Sequence, residues 1–185
     1  TGLILAIKII AEGLETNDEI VGRFEREILA SERIRHPNVV RMYGHGLTED
    51  GRRYFGMEYV DGTTLAEVME DAPLSSNQVA HIGMQVALGL GAAHAADCVH
   101  RDLKPHNLLI CHDGTIKICD VGLALLPQLG GNPPTQLTAA DTRVGTPIYM
   151  APDYIKSSAV DSRSDRYTLG VMLSEAASRR PPLTR

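Results

Sequence analysis

The sequence contains no C-x-x-C pair, and its three cysteines, Cys98, Cys111 and Cys119, are an odd number. This argues against a disulfide framework and a zinc site, and fits reduced thiols in a cytoplasmic setting. No stretch approaches the length of a transmembrane helix and no signal-peptide pattern opens the chain. No membrane partner is therefore expected within these residues, and any anchor would lie outside them. There is no basic excess either: 18 Lys and Arg face 23 Asp and Glu, a net charge of −5, and the cations are scattered. Nothing in that balance points to nucleic acid or an anionic surface. No internal repeat is present. What remains is 43% apolar and 22% charged residues over 185 positions, the composition of a soluble globular protein with room for one ordinary domain or two small lobes.

Along the chain, "LILAIKII" (3–10) reads as a buried strand interrupted by one Lys at position 8. Residues 17–35 carry Ile20, Phe24, Ile28 and Ile34 on roughly one helical face, with Pro37 beyond the end. "VVRMYGHGL" and "RRYFGMEYV" flank "TEDG" and predict a hairpin. After "DGTT" the character changes. A capping box, Ser75 with Gln78, opens a long helix rich in Gly and Ala, which implies close packing against another helix. "NLLIC" and "TIKIC" follow as two short strands around "HDG". Residues 123–150 show no steady period, and a long aperiodic loop inside a compact domain is usually functional or mobile. "SRSDRYTLGVMLSEAAS" closes the chain as an amphipathic helix. The turn-like Thr1-Gly2 directly before a strand, and the stop at "RRPPLTR" after a helix, lead us to expect a fragment of something longer.

Chemistry concentrates in "HRDLKPHN", residues 100–107. Polar side chains this dense are costly to bury, yet apolar-leaning segments lie on both sides. Asp102 and Asn107 stand five apart, with Pro105 stiffening the loop between them. A carboxylate there can accept a hydroxyl proton, and an amide oxygen can bind a hard cation. Beyond the strand pair, "CDVGLA" places Asp120 at a strand end before the flexible Gly122. Asn107 and Asp120 can thus meet at a single Mg²⁺. Lys8 is compatible with an edge position, a snorkelling stem or a carboxylate partner, for which Glu27 is available.

Taken together, "AIKII", "HRDLKPHN", "DVG", "GTPIYMAPD" and "SDRYTLGVMLSE" resemble the motif series of eukaryotic-type (Hanks-type) protein kinases. The H-R-D with Asn five residues after its Asp is expected by chance in about one chain in a thousand of this length. Five motifs in the right order cover essentially the whole chain. The resemblance implies an α+β, two-lobed kinase fold truncated at both ends: a partial N-lobe over 1–60, lacking the glycine-rich loop, and a partial C-lobe over 61–185. It implies ATP and Mg²⁺ as cofactors, and a protein substrate with a Ser or Thr acceptor. "DLKPHN" with Lys104 resembles Ser/Thr rather than tyrosine kinases, and the flavour of several motifs is that of the bacterial Ser/Thr kinases.

Carried over residue by residue, the resemblance implies that Lys8 binds the ATP phosphates and pairs with Glu27. Asp102 acts as base, Lys104 offsets charge on the γ-phosphoryl group, and Asn107 and Asp120 hold Mg²⁺. Adenine lies along the connector, with Met57 as gatekeeper, the backbone of Glu58 and Val60 (or Tyr59) against the ring, and Ala6 and Leu109 around it. Arg101 pairs with a phosphate on Thr138 or Thr142, with Thr135 behind them, and such autophosphorylation allows for self-association. Thr146 meets the catalytic Asp and Lys. His100 and Asp165 are structural, Asp165 accepting from the loop backbone, and His106 is a solvent-facing spacer. Cys119, beside the nucleotide site, is read first as a small buried hydrophobe.

Some positions depart from the pattern. Val121 replaces the usual Phe, and Ser31 stands four after Glu27 where an apolar residue is usual. Both weaken the apolar stack they share with Met42 and His100. Asp153 replaces the Glu of A-P-E, and Arg166 follows Asp165 where an apolar residue is common. An active kinase is the first expectation; a pseudokinase or nucleotide-binding scaffold is the alternative. The fragment alone is expected to be inactive or weakly active.

Overall fold

The computed structural model describes residues 2–9, 18–123, 147–152 and 161–180. Thr135, Thr138, Thr142, Thr146 and Asp153 lie outside the described residues. The architecture is α+β, with a small sheet-bearing lobe and a larger helical one.

In the small lobe, β1 (Leu5–Ile9), β2 (Met42–Leu47) and β3 (Arg53–Glu58) form an antiparallel sheet in the order β1-β3-β2, packed beside helix α1 (Asp18–Ser31). The "TEDG" turn closes β2 onto β3, with Thr48 N–H donating to Arg52 O at 2.8 Å and Gly51 in the left-handed region at φ 84°. Strand alternation puts Ala6 and Lys8 on the covered face of β1, and Lys8 faces Phe55 across the ladder. Phe55, Ile28, Met42 and Leu123 are the core of this lobe. The expected buried strand is corrected in one respect. β1 is an edge strand covered on one face, so Ile7 and Ile9 are exposed, as are Leu3 and Ile4 before it.

The large lobe begins where "DGTT" marked a change. That stretch contains a strand, β4 (Gly62–Thr64), and the cap of a helix, α2 (Leu65–Asp71), neither of which periodicity reveals. Gly62 is required here because a Cβ would stand 2.2 Å from Ile110 O across the ladder. The helix did have a readable signal, the Thr64–Glu67 capping box. Strand β4 pairs with β5 (Leu108–Cys111), and β5 with β6 (Ile116–Ile118). Helix α3 (Ser76–Ala95) starts at the Ser75–Gln78 capping box, and α4 (Ser162–Ser178) at Asp161, whose side chain accepts from Arg163 N–H. The close approach of α3 to α4 is real at Gly83, where a Cβ would come within 2.8 Å of Leu173. Val86, Leu90, Leu103, Leu108, Ile118 and Met172 fill the core between them.

Two connections tie the small lobe to this body. Val40 N–H donates to Ile118 O at 2.8 Å, and Ile118 N–H to Asn38 O at 3.0 Å. The connector after β3 is held through Glu58, whose N–H donates to Arg41 O at 2.8 Å and whose carboxylate takes Lys117 at 3.0 Å.

Candidate active site

The polar loop 100–107 is anchored from beneath. Asp165, 1% exposed in the first turn of α4, accepts His100 N–H at 2.9 Å on Oδ2 and Arg101 N–H at 3.0 Å on Oδ1. His94, near the end of α3, donates from Nε2 to the same Oδ2 at 2.7 Å. Three donors on one buried carboxylate hold it in place. His94 was not singled out in the sequence; its signal, a His six residues before His100, is too weak to read without coordinates. Pulled down by Asp165, Arg101 takes φ 70°, a left-handed conformation costing roughly 1–2 kcal/mol for a side-chain-bearing residue.

His100 is fully buried. Its Nε2 lies 3.0 Å from Cys119 O, an acceptor only, so this nitrogen carries the proton, and Nδ1 accepts from Asp102 N–H at 3.4 Å. One ring thereby joins the loop to the segment between β6 and Asp120. Pro105–Asn107 forms a 3₁₀ turn, and Asn107 Nδ2 donates to Asp102 O at 2.8 Å. That bond turns Oδ1 into the amide atom left for a cation. Lys104 Nζ donates to Asp102 Oδ2 at 2.6 Å. Asp102, Lys104 and Asn107 are therefore brought together as one group.

Asp120 follows β6 at φ 58°, and Gly122 at φ 76°. Lys8 Nζ reaches Asp120 Oδ2 at 2.8 Å, while Asp120 Oδ1 is buried without a hydrogen-bond partner. A buried carboxylate oxygen left unmatched is costly, and a hard cation would satisfy it. Among the described residues, Asp120 Oδ1 and the Asn107 amide oxygen are the atoms that could hold such an ion, and a set this small suits Mg²⁺, which completes its shell with water and phosphate oxygens.

The expected Lys8–Glu27 pair is not formed. Glu27 Oε1 instead takes Arg101 Nη1 at 2.8 Å, and Lys8 takes Asp120. The physical reason lies in competition for partners. Arg101 presents a planar fork of donors suited to a carboxylate, while the compact Lys8 ammonium is held by the nearer acid at the strand end. Glu27 also lies close against Gly122, where a Cβ would come within 3.2 Å of Oε2.

Along the connector, Met57 packs against the Phe55 core, Tyr59 is exposed and Val60 is half-buried. The N–H of Glu58 is committed to Arg41 O. Ala6 stands opposite Met57, and Leu109 opposite Lys117, each half-covered, one in each sheet. Met42, His100, Val121 and Ser31 are all buried. Cys119 is largely covered, and burial, then the adjacent Asp120 charge, push its thiol up to about 12. Arg166 is exposed and donates to Ser162 Oγ at 3.3 Å. His106 is exposed, near Glu67, the acid of the α2 capping box. Behind the site, Tyr149 donates to Glu175 at 2.6 Å, and burial together with that bond pushes its hydroxyl above the usual range. Among the described residues no cluster of three or more His, Cys, Asp or Glu could hold a metal, and no helix is long and apolar enough to cross a membrane.

Comparison with known proteins agrees with this geometry. A family model described as "Protein kinase domain" matches residues 1–185. The serine/threonine-protein kinase pkn3 of Myxococcus xanthus is 35% identical over 175 residues, covering 92% of this chain and 32% of its own. PrkC of Bacillus subtilis, a serine/threonine-protein kinase, is 35% identical over 179 residues, covering 96% of this chain and 27% of its own. The chain thus spans about a third or less of these curated relatives. Among solved structures, a double mutant of the Mycobacterium tuberculosis PknI kinase domain superposes with a TM-score of 0.74 at 27% identity, covering 97% of this chain and 66% of that one. With the family matched from end to end and the fold shared, the chain belongs to the protein kinase domain family, in its Hanks-type serine/threonine branch.

Proposed function

We propose that the protein transfers the γ-phosphoryl group of ATP to Ser or Thr hydroxyls of proteins, and that residues 1–60 and 61–185 are the lobes enclosing the nucleotide. The observation that carries this is Asp120: one carboxylate oxygen sits on Lys8 and the other is buried and unmatched. The residue before Asp120 is tied to the Asp102–Lys104–Asn107 group, since Cys119 N–H donates to Asn107 O at 2.9 Å.

Asp102 would accept the hydroxyl proton as the acceptor oxygen attacks, and Lys104, already 2.6 Å from that carboxylate, would offset charge on the transferring group. Asn107 and Asp120 would hold Mg²⁺, which would supply positive charge to offset that of the phosphates. Lys8 would leave Asp120 for the phosphates and Glu27. Ala6, Met57, Leu109 and the backbone of Glu58 to Val60 would seat the adenine. Such catalysis rests on positioning and preorganised charge rather than covalent steps. Three unpaired cysteines and a need for ATP favour a cytoplasmic setting for this domain. In the intact protein, γ-labelled ATP with Mg²⁺ is expected to label Ser- and Thr-containing substrate, with loss of labelling on chelation. Labelling that survives both chelation and removal of every Ser and Thr from the substrate would sink the assignment.

The Glu27–Arg101 pair favours one refinement. With Arg101 occupied and Lys8 on Asp120, the arrangement is a resting one rather than that of a permanent scaffold. A phosphate on Thr138 or Thr142, delivered by a second copy, would compete for Arg101 and release Glu27 to Lys8. Phosphopeptide mapping after incubation with ATP is expected to find Thr138 or Thr142; modification only at distant sites would overturn this.

A further inference from the structure

Ser31, at the last position of α1, is 6% exposed, yet it carries a hydroxyl where the Lys8 and Glu27 chemistry leaves it no task. Its Oγ lies 2.9 Å from Glu27 O, 2.8 Å from Val121 O and 3.8 Å from Cys98 Sγ. A hydroxyl has one proton and two lone pairs, and both carbonyls can only accept. The O–H therefore serves the carbonyls, and the Cys98 thiol is the group able to donate back. Of the two carbonyls, Glu27 O belongs to the helix that Ser31 ends. Val121 O belongs to another part of the chain, the turn immediately after Asp120.

That turn needs holding. Asp120 and Gly122 both lie in the left-handed region, φ 58° and 76°, and a side-chain-bearing residue stays there only when its surroundings over-determine it. The holds are distributed: His100 on Cys119 O, Lys8 on the Asp120 carboxylate and Ser31 on Val121 O. Contacts at Gly122 leave little slack, since a Cβ there would meet Cys98 Sγ at 3.0 Å and Ser31 Oγ at 3.4 Å. Lys8 has to release Asp120 when phosphate arrives, so the hold through Ser31 is one that can persist through the reaction.

We propose that Ser31 is a positioning residue: its hydroxyl, bonded to the Val121 carbonyl and backed by the Cys98 thiol, fixes the turn that presents the Asp120 carboxylate to Mg²⁺. This rests on the reading of Asp120 as a magnesium ligand. The polar link does here what an apolar contact would do elsewhere, and the Ser–Val pair is then a compensated arrangement rather than a weakened one.

The test uses the intact protein and a fluorescent ATP analogue titrated with and without Mg²⁺. Ser31→Ala is expected to raise the Mg²⁺ concentration needed for half-maximal nucleotide binding about fivefold, the value of one net hydrogen bond. Affinity measured without Mg²⁺ stays unchanged. Ser31→Thr restores the requirement, whereas Ser31→Val, alike in shape but without the hydroxyl, does not. Amide exchange at Gly122 is expected to quicken in Ser31→Ala, a readout that needs neither nucleotide nor activity. A lowered melting temperature with unchanged Mg²⁺ requirement and unchanged exchange overturns the proposal, leaving Ser31 a packing residue. Asp120→Asn is the control. If it leaves the Mg²⁺ requirement intact, the ligand assignment has failed and the Ser31 proposal falls with it. If it abolishes the Mg²⁺ effect while Ser31→Ala and Ser31→Val behave as wild type, the Ser31 proposal alone is wrong.

Discussion

Asp102→Asn is expected to cut phosphoryl transfer by about 10²–10⁴-fold, the usual worth of a positioned general base, while nucleotide affinity holds. The amide cannot take the hydroxyl proton, and it also loses the ion pair with Lys104 at 2.6 Å. The loop itself should survive, because its anchors are elsewhere: Asn107 Nδ2 bonds the backbone carbonyl of Asp102, and Asp165 bonds His100 and Arg101. The measurement is initial rate with labelled ATP alongside nucleotide affinity by fluorescence. A variant that transfers phosphate at the wild-type rate would remove Asp102 from the mechanism. A loss of affinity equal to the loss of rate would mean instead that the substitution damaged the nucleotide site.

Asp165→Ala should be the most damaging single change to stability. It leaves the N–H groups of His100 and Arg101 and the ring of His94 without their shared acceptor in a region closed to water. Breaking a buried charged network from one side costs about 3–5 kcal/mol. At roughly 2–4 °C per kcal/mol for a domain of this size, the melting temperature should fall by about 6–20 °C. Asp165→Asn is an informative companion. Its amide nitrogen turns one acceptor into a donor facing an N–H, so it too should destabilise, despite preserving shape. Calorimetry of the three forms decides the matter. A shift of a degree or two for Asp165→Ala would mean that Arg101 does not depend on that carboxylate for its left-handed backbone.

How much of this was legible without coordinates differs from element to element. The hairpin around "TEDG", the capped helix from Ser75 and the strand pair around "HDG" are local events, and local chemistry announced them. Strand β4 was not readable, since three residues hold no period and Gly62 reports its role only once Ile110 lies across from it. Motif order singled out Asp102 and Asn107 in one dense polar stretch and Asp120 beyond the strand pair, and the structure ties the two segments through Cys119 N–H on Asn107 O. Partner choice was another matter. Lys8 and Glu27 were matched by resemblance, but which cation an acid takes depends on distances between lobes. His94 shows the same limit from the other side: nothing in its neighbours marks it, and its meaning comes from Asp165, 71 residues away.

The double attachment of Glu58 bears on motion. Its amide is fastened to Arg41 and its carboxylate to Lys117, so the last residue of β3 is stapled to the small lobe and to the strand leading to Asp120 at once. Any swing of one lobe against the other must then be absorbed further along, over Tyr59 to Asp61, where the chain is exposed or half-buried. Such a swing would leave the Ile116–Ile118 strand, and the turn to Asp120 that follows it, level with the end of β3.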